Sequence, residues 1–238
     1  MDIPVMPEPN SGPDAGSANA ASIRLVGIIG AGQMGNGIAH VASLANYDVL
    51  LNDLSSEAYD KAMKTISRNM DRQVAKGVIS EDAKSEALER ISFAENFGSL
   101  GNCDMVIEAA VEDESIKRNI FTALCKEIKP ETIIATNTSS ISVTRLASIT
   151  DRPDRFIGMH FMNPVPLMEL VELIRGIATE DDTFETSRTF VHSLGKTTSV
   201  SEDFPAFIVN RILLPMINEA VYTLYEGVGT VESIDNAM

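Results

Sequence analysis

The sequence is poor in cysteine, in cationic side chains and in long apolar runs, and each shortage excludes a class of protein. Two cysteines in 238 residues provide no disulfide framework and no metal-binding spacing, so we expect a reducing compartment and no metal site. Lys and Arg number 19 against 34 for Asp and Glu, a net charge of −15 that disfavours nonspecific nucleic-acid binding without a local basic patch. No apolar run approaches the ~18 residues that a membrane span needs. We therefore expect a cytoplasmic protein with neither a nucleic-acid nor a membrane partner.

The two ends of the chain differ from the rest. Residues 1–22 combine Pro, Asn, Ser, Gly and Ala without hydrophobic periodicity, which predicts a disordered arm. This arm contains acids but no Arg or Lys, unlike a signal or transit peptide. At the other end, a helix that begins near Thr230 stops at Met238, and a helix of under three turns is marginal without partners. We therefore expect the final domain to be incomplete in this chain.

Apolar strands alternate with helices through most of the sequence. The predicted strands are 24–29, 47–52, 103–110, 133–136, 156–161 and 170–174, and the predicted helices are 33–45, 57–76, 115–127, 143–148 and 181–194. Such alternation is typical of βαβ units and a parallel sheet. From residue 206 one apolar-periodic helix extends to residue 226. We predict an α/β fold in which a doubly wound, Rossmann-type domain (23–203) is followed by the start of an all-helical second domain (204–238).

The stretch GAGQMG, Gly30 to Gly35, follows a predicted strand and opens a helix, and Asp53 ends the next strand. In that context, G-x-G-x-x-G is typical of dinucleotide binding. Gly30 permits the tight turn, Gly32 lets the backbone approach a pyrophosphate, and Gly35 lets the helix pack on the strand. Asp53 can accept hydrogen bonds from both ribose hydroxyls and would repel a 2′-phosphate, so NAD is favoured over NADP. The alternative is a tight turn in a fold that binds no nucleotide.

A line of cations follows one face of the helix predicted at 57–76. Lys61, Lys64, Arg68, Arg72 and Lys76 recur at spacings of three and four and form what we call the cationic ridge. The opposite face is apolar and consists of Ala62, Met63, Ile66, Met70 and Val74. One interpretation is a solvated face, paired within the helix to Glu57 and Asp60. The other is a binding surface for a polyanion such as a nucleotide-bearing thioester. A line of five cations is unusual on a protein that is otherwise acidic.

A histidine and a glutamate interrupt the apolar stretch FIGMHFMNPVPLMELVELI. His160 and Glu172 are equidistant from Pro166, so a hairpin around the turn 163–166 would place them opposite each other. A carboxylate that accepts from one imidazole nitrogen fixes the tautomer, which leaves the other nitrogen as a base. The alternatives are a buried structural His–Glu pair, or a Glu172 that faces solvent from an edge strand.

Other polar residues are weaker candidates for a site. Asn137 and Ser139 follow the carboxyl end of a predicted strand, where ligands of open α/β sheets bind, although Ser140 or Ser142 could simply cap the next helix. His40, inside the first helix, is expected to pack in the core. His192 lies near a helix end, where a cation suits the dipole.

Taken together, these motifs resemble the 3-hydroxyacyl-CoA dehydrogenase family, and within it the bacterial enzymes that act on 3-hydroxybutyryl-CoA. The resemblance covers residues 23–238 and is carried by VGIIGAGQMGNGIA, NMDRQVAKG, VIEAAVEDESIK, TNTSSIS, HFMNPVPLMELVE and FIVNRILLPMINEA. It implies an NAD-dependent interconversion of 3-hydroxyacyl-CoA and 3-oxoacyl-CoA. It also implies a homodimer for a full-length protein, because relatives continue with further helices that form the dimer interface. Dimerisation of this chain is therefore in question.

The resemblance also implies roles for individual residues. His160 corresponds to the catalytic base, Glu172 to its orienting partner, and Ser139 and Asn210 to groups that hold the substrate. Cofactor contacts correspond to Gly30, Ala31, Gly32, Gln33, Met34, Gly35, Asp53, Glu112, Lys117, Asn137, Ser139 and Asn163. Coenzyme A contacts correspond to Asn69, Arg72 and Lys76.

Two rival functions remain open at this point. One is a dehydrogenase of a hydroxy acid without coenzyme A, on the same cofactor domain. The other is an inactive or non-catalytic NAD-binding fragment.

Overall fold

The computed structural model describes residues 23–238, so the predicted arm at 1–22 lies outside the described residues. The strands are β1 (Leu25–Ile29), β2 (Asp48–Asn52), β3 (Ile91–Ala94), β4 (Met105–Glu108), β5 (Ile133–Thr136), β6 (Phe156–Phe161), β7 (Leu170–Arg175) and β8 (Thr197–Glu202). The α-helices are α1 (Gln33–Leu44), α2 (Ser56–Ala75), α3 (Glu81–Glu89), α4 (Glu114–Leu124), α5 (Val143–Ala147), α6 (Asp181–Ser193), α7 (Val209–Tyr225) and α8 (Val231–Ala237).

The strands form one 8-stranded sheet in the order β3-β2-β1-β4-β5-β6-β7-β8. Strands β1 to β6 are parallel, β7 runs antiparallel to β6, and β8 is parallel to β7. Since the order reverses between β1 and β4, their carboxyl ends flank the crevice where such sheets bind ligands. The predicted Rossmann-type α/β fold is confirmed.

Helices cover both faces of the sheet, because the central strands are apolar on both. In β4, Met105 and Ile107 belong to one buried cluster and Val106 belongs to the other. Successive side chains of a strand point to opposite faces, so the two clusters lie on the two sides of the sheet. Helices α1, α2 and α6 contribute to the first cluster, and α4 and α5 to the second. The sheet is therefore the middle of three layers.

Sequence reading missed α3 and both edge strands, β3 and β8. Strand β3 has four residues and β8 reads TTSVSE, with one buried residue in six. Neither has the apolar pattern of a strand buried on both faces, because an edge strand at the sheet's rim is half solvated. The strand predicted at 103–110 is also shorter, Met105–Glu108.

The helical segment after β8 is joined to the sheet by a carboxylate. Asp203 accepts hydrogen bonds from Ser142 Oγ at 2.6 Å, from Val143 N at 3.0 Å and from Thr144 N at 2.8 Å, at the start of α5. Ser142 also caps this helix itself, as predicted, by accepting from Arg145 N. The first residues after β8 are thus fixed against α5.

Two residues of this connection have a left-handed backbone. Ala206 has φ 68° and Phe207 has φ 52°, a region that L-residues other than glycine rarely occupy. Helices α7 and α8 follow and bear many exposed apolar side chains, among them Ile212, Val221 and Tyr225. Across residues 23–238, no helix is both long enough and apolar enough to cross a membrane.

Candidate active site

The glycine turn leaves space for a dinucleotide. Gly30 has φ +100°, and a Cβ there would meet Ala109 O at 2.7 Å, while a Cβ at Gly35 would lie 1.7 Å from Gly30 O. Both positions therefore require glycine, as the motif predicts. A Cβ at Gly32 would meet nothing within 4 Å, so the space beside the first turn of α1 is open to a ligand.

Asp53 lies beside this turn, at the end of β2. Its Oδ2 accepts from Ala31 N at 2.6 Å, and its Oδ1 accepts from Leu54 N at 2.7 Å. The carboxylate is thereby oriented in a cleft of about 570 Å³ that Gly32 and Gln33 also line. We call it the nucleotide cleft, because its glycines and its acid have the chemistry that NAD requires. Met34, also predicted to contact the cofactor, is only partly exposed and packs against the core.

A second cleft, of about 600 Å³, lies along α2 and contains all three residues predicted to contact coenzyme A. It is lined by Asn69, Arg72 and Lys76, together with His40, Gln73, Val78, Pro164, Pro166 and Leu167. We call it the ridge cleft. His40, which we expected to pack, is buried as predicted and bonds Gln73 through Nε2 at 2.9 Å.

The cationic ridge is confirmed as an exposed face. All five of its cations are exposed, whereas Ala62, Ile66 and Met70 opposite them are buried. None of the five forms an ion pair within 4.0 Å anywhere in residues 23–238. The pairs to Glu57 and Asp60 that the solvated-face interpretation requires are therefore not formed. The ridge keeps its charge available for an anion.

The predicted hairpin is confirmed, and it places His160 directly opposite Glu172 in the β6–β7 ladder. His160 Nδ1 lies 2.8 Å from Glu172 Oε2. Because a carboxylate only accepts, Nδ1 carries the proton of a neutral imidazole, and Nε2 keeps its lone pair. Glu172 has no exposed side-chain surface and His160 has 11%. The alternative of a solvent-facing Glu172 is wrong.

The second oxygen of Glu172 binds the start of α7. Oε1 accepts from Ile208 N at 3.0 Å and from Val209 N at 2.9 Å. Burial alone would raise the pKa of Glu172, but the bonds from His160 and from these two amides outweigh it and lower the pKa below its usual value. Glu172 is therefore an anion at neutral pH. It connects the histidine to the helical segment.

Ser139 and Asn210 are also in contact, although they belong to different parts of the chain. Asn210 Nδ2 donates to Ser139 O at 3.3 Å, so α7 reaches the loop after β5. Glu112 Oε1 fixes the same loop by accepting from Thr138 Oγ1 at 2.6 Å and from Ser139 N at 2.8 Å. Burial would raise the pKa of Glu112, yet these bonds and the charge of Lys117 lower it. Glu112 is thus a fixed anion beside Ser139.

Two asparagines predicted to contact the cofactor are held by other protein groups. Asn137 Oδ1 accepts from Phe161 N at 2.9 Å, next to His160 in β6. Asn163 Oδ1 accepts from Gln33 Nε2 at 3.0 Å, which connects the hairpin turn to the glycine turn. Both amides are oriented, and each keeps its NH₂ group for a ligand.

Lys117 lies differently from what a cofactor contact requires. Its side chain has no exposed surface, and Nζ lies 2.7 Å from Glu108 Oε1 and 3.5 Å from Glu112 Oε2. In this arrangement the ammonium is paired with two carboxylates and is not exposed. Glu108 is buried and also accepts from Thr136 Oγ1 at 2.6 Å. The position of Lys117 on the buried face of α4 is a signal in the sequence for a buried ion pair. It does not identify the acidic partners, because the pairing of β4 with β5 places them.

Sequence reading also missed the groups on the connection after β8. Phe207 is buried, with its ring centroid 6.0 Å from that of His160. The amides of Ile208 and Val209 carry no side-chain signal at all. A buried glutamate needs more than one hydrogen-bond partner, and this need was the only indication that such amides would contact Glu172.

Comparisons with known proteins identify the family of this chain. Residues 25–204 match the family model of the 3-hydroxyacyl-CoA dehydrogenase NAD binding domain, and residues 207–238 match that of the C-terminal domain. The chain is 68% identical to 3-hydroxybutyryl-CoA dehydrogenase of Bradyrhizobium diazoefficiens, over 92% of this chain and 75% of that protein. It is 47% identical to a probable 3-hydroxybutyryl-CoA dehydrogenase of Deinococcus radiodurans, over 89% of this chain and 76% of that protein.

A solved structure is similar as well. The crystal structure of (S)-3-hydroxybutyryl-CoA dehydrogenase from Ralstonia eutropha superposes with a TM-score of 0.87 at 46% identity, covering 89% of this chain and 75% of that one. The chain therefore belongs to the 3-hydroxyacyl-CoA dehydrogenase family, and it is an oxidoreductase that uses NAD.

Proposed function

We propose that this chain interconverts 3-hydroxybutyryl-CoA and acetoacetyl-CoA, with His160 as the acid–base group. The observation that carries the proposal is the pairing of His160 Nδ1 with Glu172 Oε2 at 2.8 Å. It leaves Nε2 unprotonated in the neutral ring, in an orientation that the β6–β7 ladder fixes. A base held in this way suits removal of a proton from a substrate hydroxyl.

The steps follow from the chemistry of these residues. In oxidation, His160 Nε2 takes the proton of the 3-hydroxyl, and the Glu172 carboxylate offsets the positive charge that develops on the ring. NAD, when bound, supplies the hydride acceptor. Ser139 and Asn210 orient the 3-oxygen and the thioester. In reduction, the imidazolium of His160 returns the proton to the forming alkoxide.

The residues that hold NAD are those of the nucleotide cleft. Gly32 admits the pyrophosphate, Gly30 and Gly35 shape the turn that presents it, and Asp53 binds the adenosine ribose. Asn137, Asn163 and Glu112 are proposed to contact the cofactor, and Lys117 supports Glu112 through an ion pair at 3.5 Å.

The ridge cleft is proposed to take the coenzyme A part of the substrate. Asn69, Arg72 and Lys76 line it, and no ion pair in residues 23–238 occupies the charge of Arg72 or Lys76. Phosphate groups of coenzyme A would be bound by such cations. The ridge cleft shares Asn69, Pro164 and Pro166 with the nucleotide cleft, so a substrate in one adjoins a cofactor in the other.

A homodimer is proposed for the assembled enzyme. Exposed apolar side chains on α7 and α8 support this, since Ile212 is 64% exposed and Val221 is 60% exposed. Light scattering on the full-length protein tests this proposal. The cytoplasm is the proposed compartment, in keeping with the free thiols of Cys103 and Cys125.

The test of the proposed function follows NADH oxidation by absorbance with three substrates. Acetoacetyl-CoA should be reduced rapidly, whereas free acetoacetate should be reduced far more slowly, because it lacks the part that the ridge cleft binds. Equal or faster reduction of the free acid would favour a hydroxy-acid dehydrogenase without coenzyme A. A longer 3-oxoacyl-CoA measures the preference for chain length. Tight NADH binding without turnover of any of the three would favour a non-catalytic binding protein.

A further inference from the structure

The turn between β6 and β7 forms a wall common to both clefts. We call residues 163–168 the shared turn. Asn163, Pro164, Val165 and Pro166 line the nucleotide cleft, while Pro164, Pro166 and Leu167 line the ridge cleft. Any displacement of this turn would therefore change the shape of two binding sites at once.

Lys196, just before β8, holds the shared turn through its backbone. Its Nζ donates to Val165 O at 2.7 Å and to Met168 O at 2.8 Å. The side chain is almost fully enclosed, with the residue 9% exposed. Burial lowers the pKa of Lys196, which the charge of Glu169 partly opposes. The buried ammonium thus faces two carbonyl oxygens of the shared turn, one in its middle and one at its end.

The other contacts of the turn do not replace these two bonds. Leu167 N and Met168 N both donate to Pro164 O, which closes the turn internally without attaching it to the rest of the protein. On the side of α1, Gly37 permits a close approach, because a Cβ there would lie 2.8 Å from Val165 Cβ. Lys196 therefore bonds the backbone of the turn, Gly37 leaves room for it against α1, and Gln33 bonds only the side chain of Asn163.

We propose that Lys196 is a positioning residue for both the cofactor and the acyl-CoA substrate, acting through the shared turn. Loss of its ammonium leaves two carbonyls without their donor and frees the wall between the clefts. A wall that shifts loses contacts with the ligands on both of its sides, so both affinities fall. The identity of the ligand in the ridge cleft rests on the proposed function, whereas the effect on the cofactor does not.

The test is Lys196→Met, which keeps an unbranched apolar side chain of nearly the same length and removes the charge. The NADH dissociation constant, measured by fluorescence without any CoA ester, and the Michaelis constant for acetoacetyl-CoA should each rise about tenfold. The kcat at saturation should change little, because the β6–β7 ladder and not the turn holds His160. Lys196→Gln keeps an N–H donor and should give smaller rises in both constants, and it serves if Lys196→Met does not fold.

The matched control is Lys129→Met. Lys129 Nζ also donates to a backbone carbonyl, Asn102 O at 3.2 Å, but it pairs with Asp104 Oδ1 at 2.7 Å and lies before the central strands β4 and β5, lining neither cleft. It should lower thermal stability and leave both constants unchanged. Gly37→Ala, which pushes the shared turn from α1, should raise both constants.

Two results would overturn the proposal: unchanged constants in folded Lys196→Met, or a rise in only one of them. If the unaltered chain does not reduce acetoacetyl-CoA, the proposed function fails, and the NADH arm still tests Lys196.

Discussion

His160 and Glu172 are paired across the β6–β7 ladder, and the carboxylate that orients the histidine also binds the first amides of α7. The helical segment therefore participates in the active site through Glu172 as well as through Asn210. A change that displaces α7 should disturb the histidine without touching it.

Removing the charge of Glu172 tests this connection. Glu172→Gln keeps the shape of the side chain but cannot offset an imidazolium, so kcat should fall by roughly 10²-fold or more. The variant should also unfold at a lower temperature, because its amide oxygen is a weaker acceptor for Ile208 N and Val209 N. Steady-state kinetics and thermal unfolding measure the two effects. Glu131→Gln, an exposed site, is the control, and a Glu172→Gln enzyme with undiminished kcat would contradict the orienting role.

The cationic ridge gives a prediction about substrate binding alone. Replacing Arg72 and Lys76 by Glu should raise the Michaelis constant for acetoacetyl-CoA at least tenfold, because two charge-assisted contacts with the substrate are lost. NADH binding should be unaffected, because neither residue lines the nucleotide cleft. Lys64→Glu is the control for a single charge reversal and is compared with Lys76→Glu. Lys64 lies on the same helix but lines neither cleft. Equal effects of the two charge reversals would support the interpretation of the ridge as a solvated face.

Backbone strain after β8 leads to a stability prediction. Ala206 has φ 68°, a backbone conformation that is strained for a residue with a Cβ and unstrained for glycine. Ala206→Gly should therefore increase the free energy of unfolding by about 1 kcal/mol. Urea unfolding measures the change. Ala75→Gly, in the last turn of α2, is the opposite case and should be destabilising. A loss of stability in Ala206→Gly would mean that the left-handed conformation is not strained.

Asp203 makes stability depend on pH. Burial would raise the pKa of this carboxyl, but the bonds from Ser142, Thr144 and Val143 lower it below the ordinary value of 3.8. A carboxyl whose pKa is lower in the folded state stabilises the fold fully above its unfolded pKa, and this contribution is lost as pH falls through the folded pKa. Asp203→Ala should therefore cost about 1–2 kcal/mol at neutral pH and less at about pH 3. Urea unfolding at both values checks this, and an equal loss at both would contradict it.

The sequence predicted most of the sheet and the key pair, for identifiable reasons. Strands buried on both faces have continuous apolar runs, and the symmetric spacing of His160 and Glu172 around Pro166 makes their pairing predictable. The edge strands β3 and β8 lack such runs. Nothing in the sequence indicates how deeply Lys117 and Lys196 are buried, because their burial arises only when distant segments pack around them. Backbone donors such as Ile208 N have no signature in side chains.

If His160 performs the proton transfer, the His160→Gln variant should separate NADH binding from turnover. The variant should bind NADH with an unchanged dissociation constant, because His160 does not line the nucleotide cleft. Its turnover of acetoacetyl-CoA should fall by ~10²–10⁴ relative to the unaltered enzyme. Undiminished turnover by a folded His160→Gln protein would contradict the assignment.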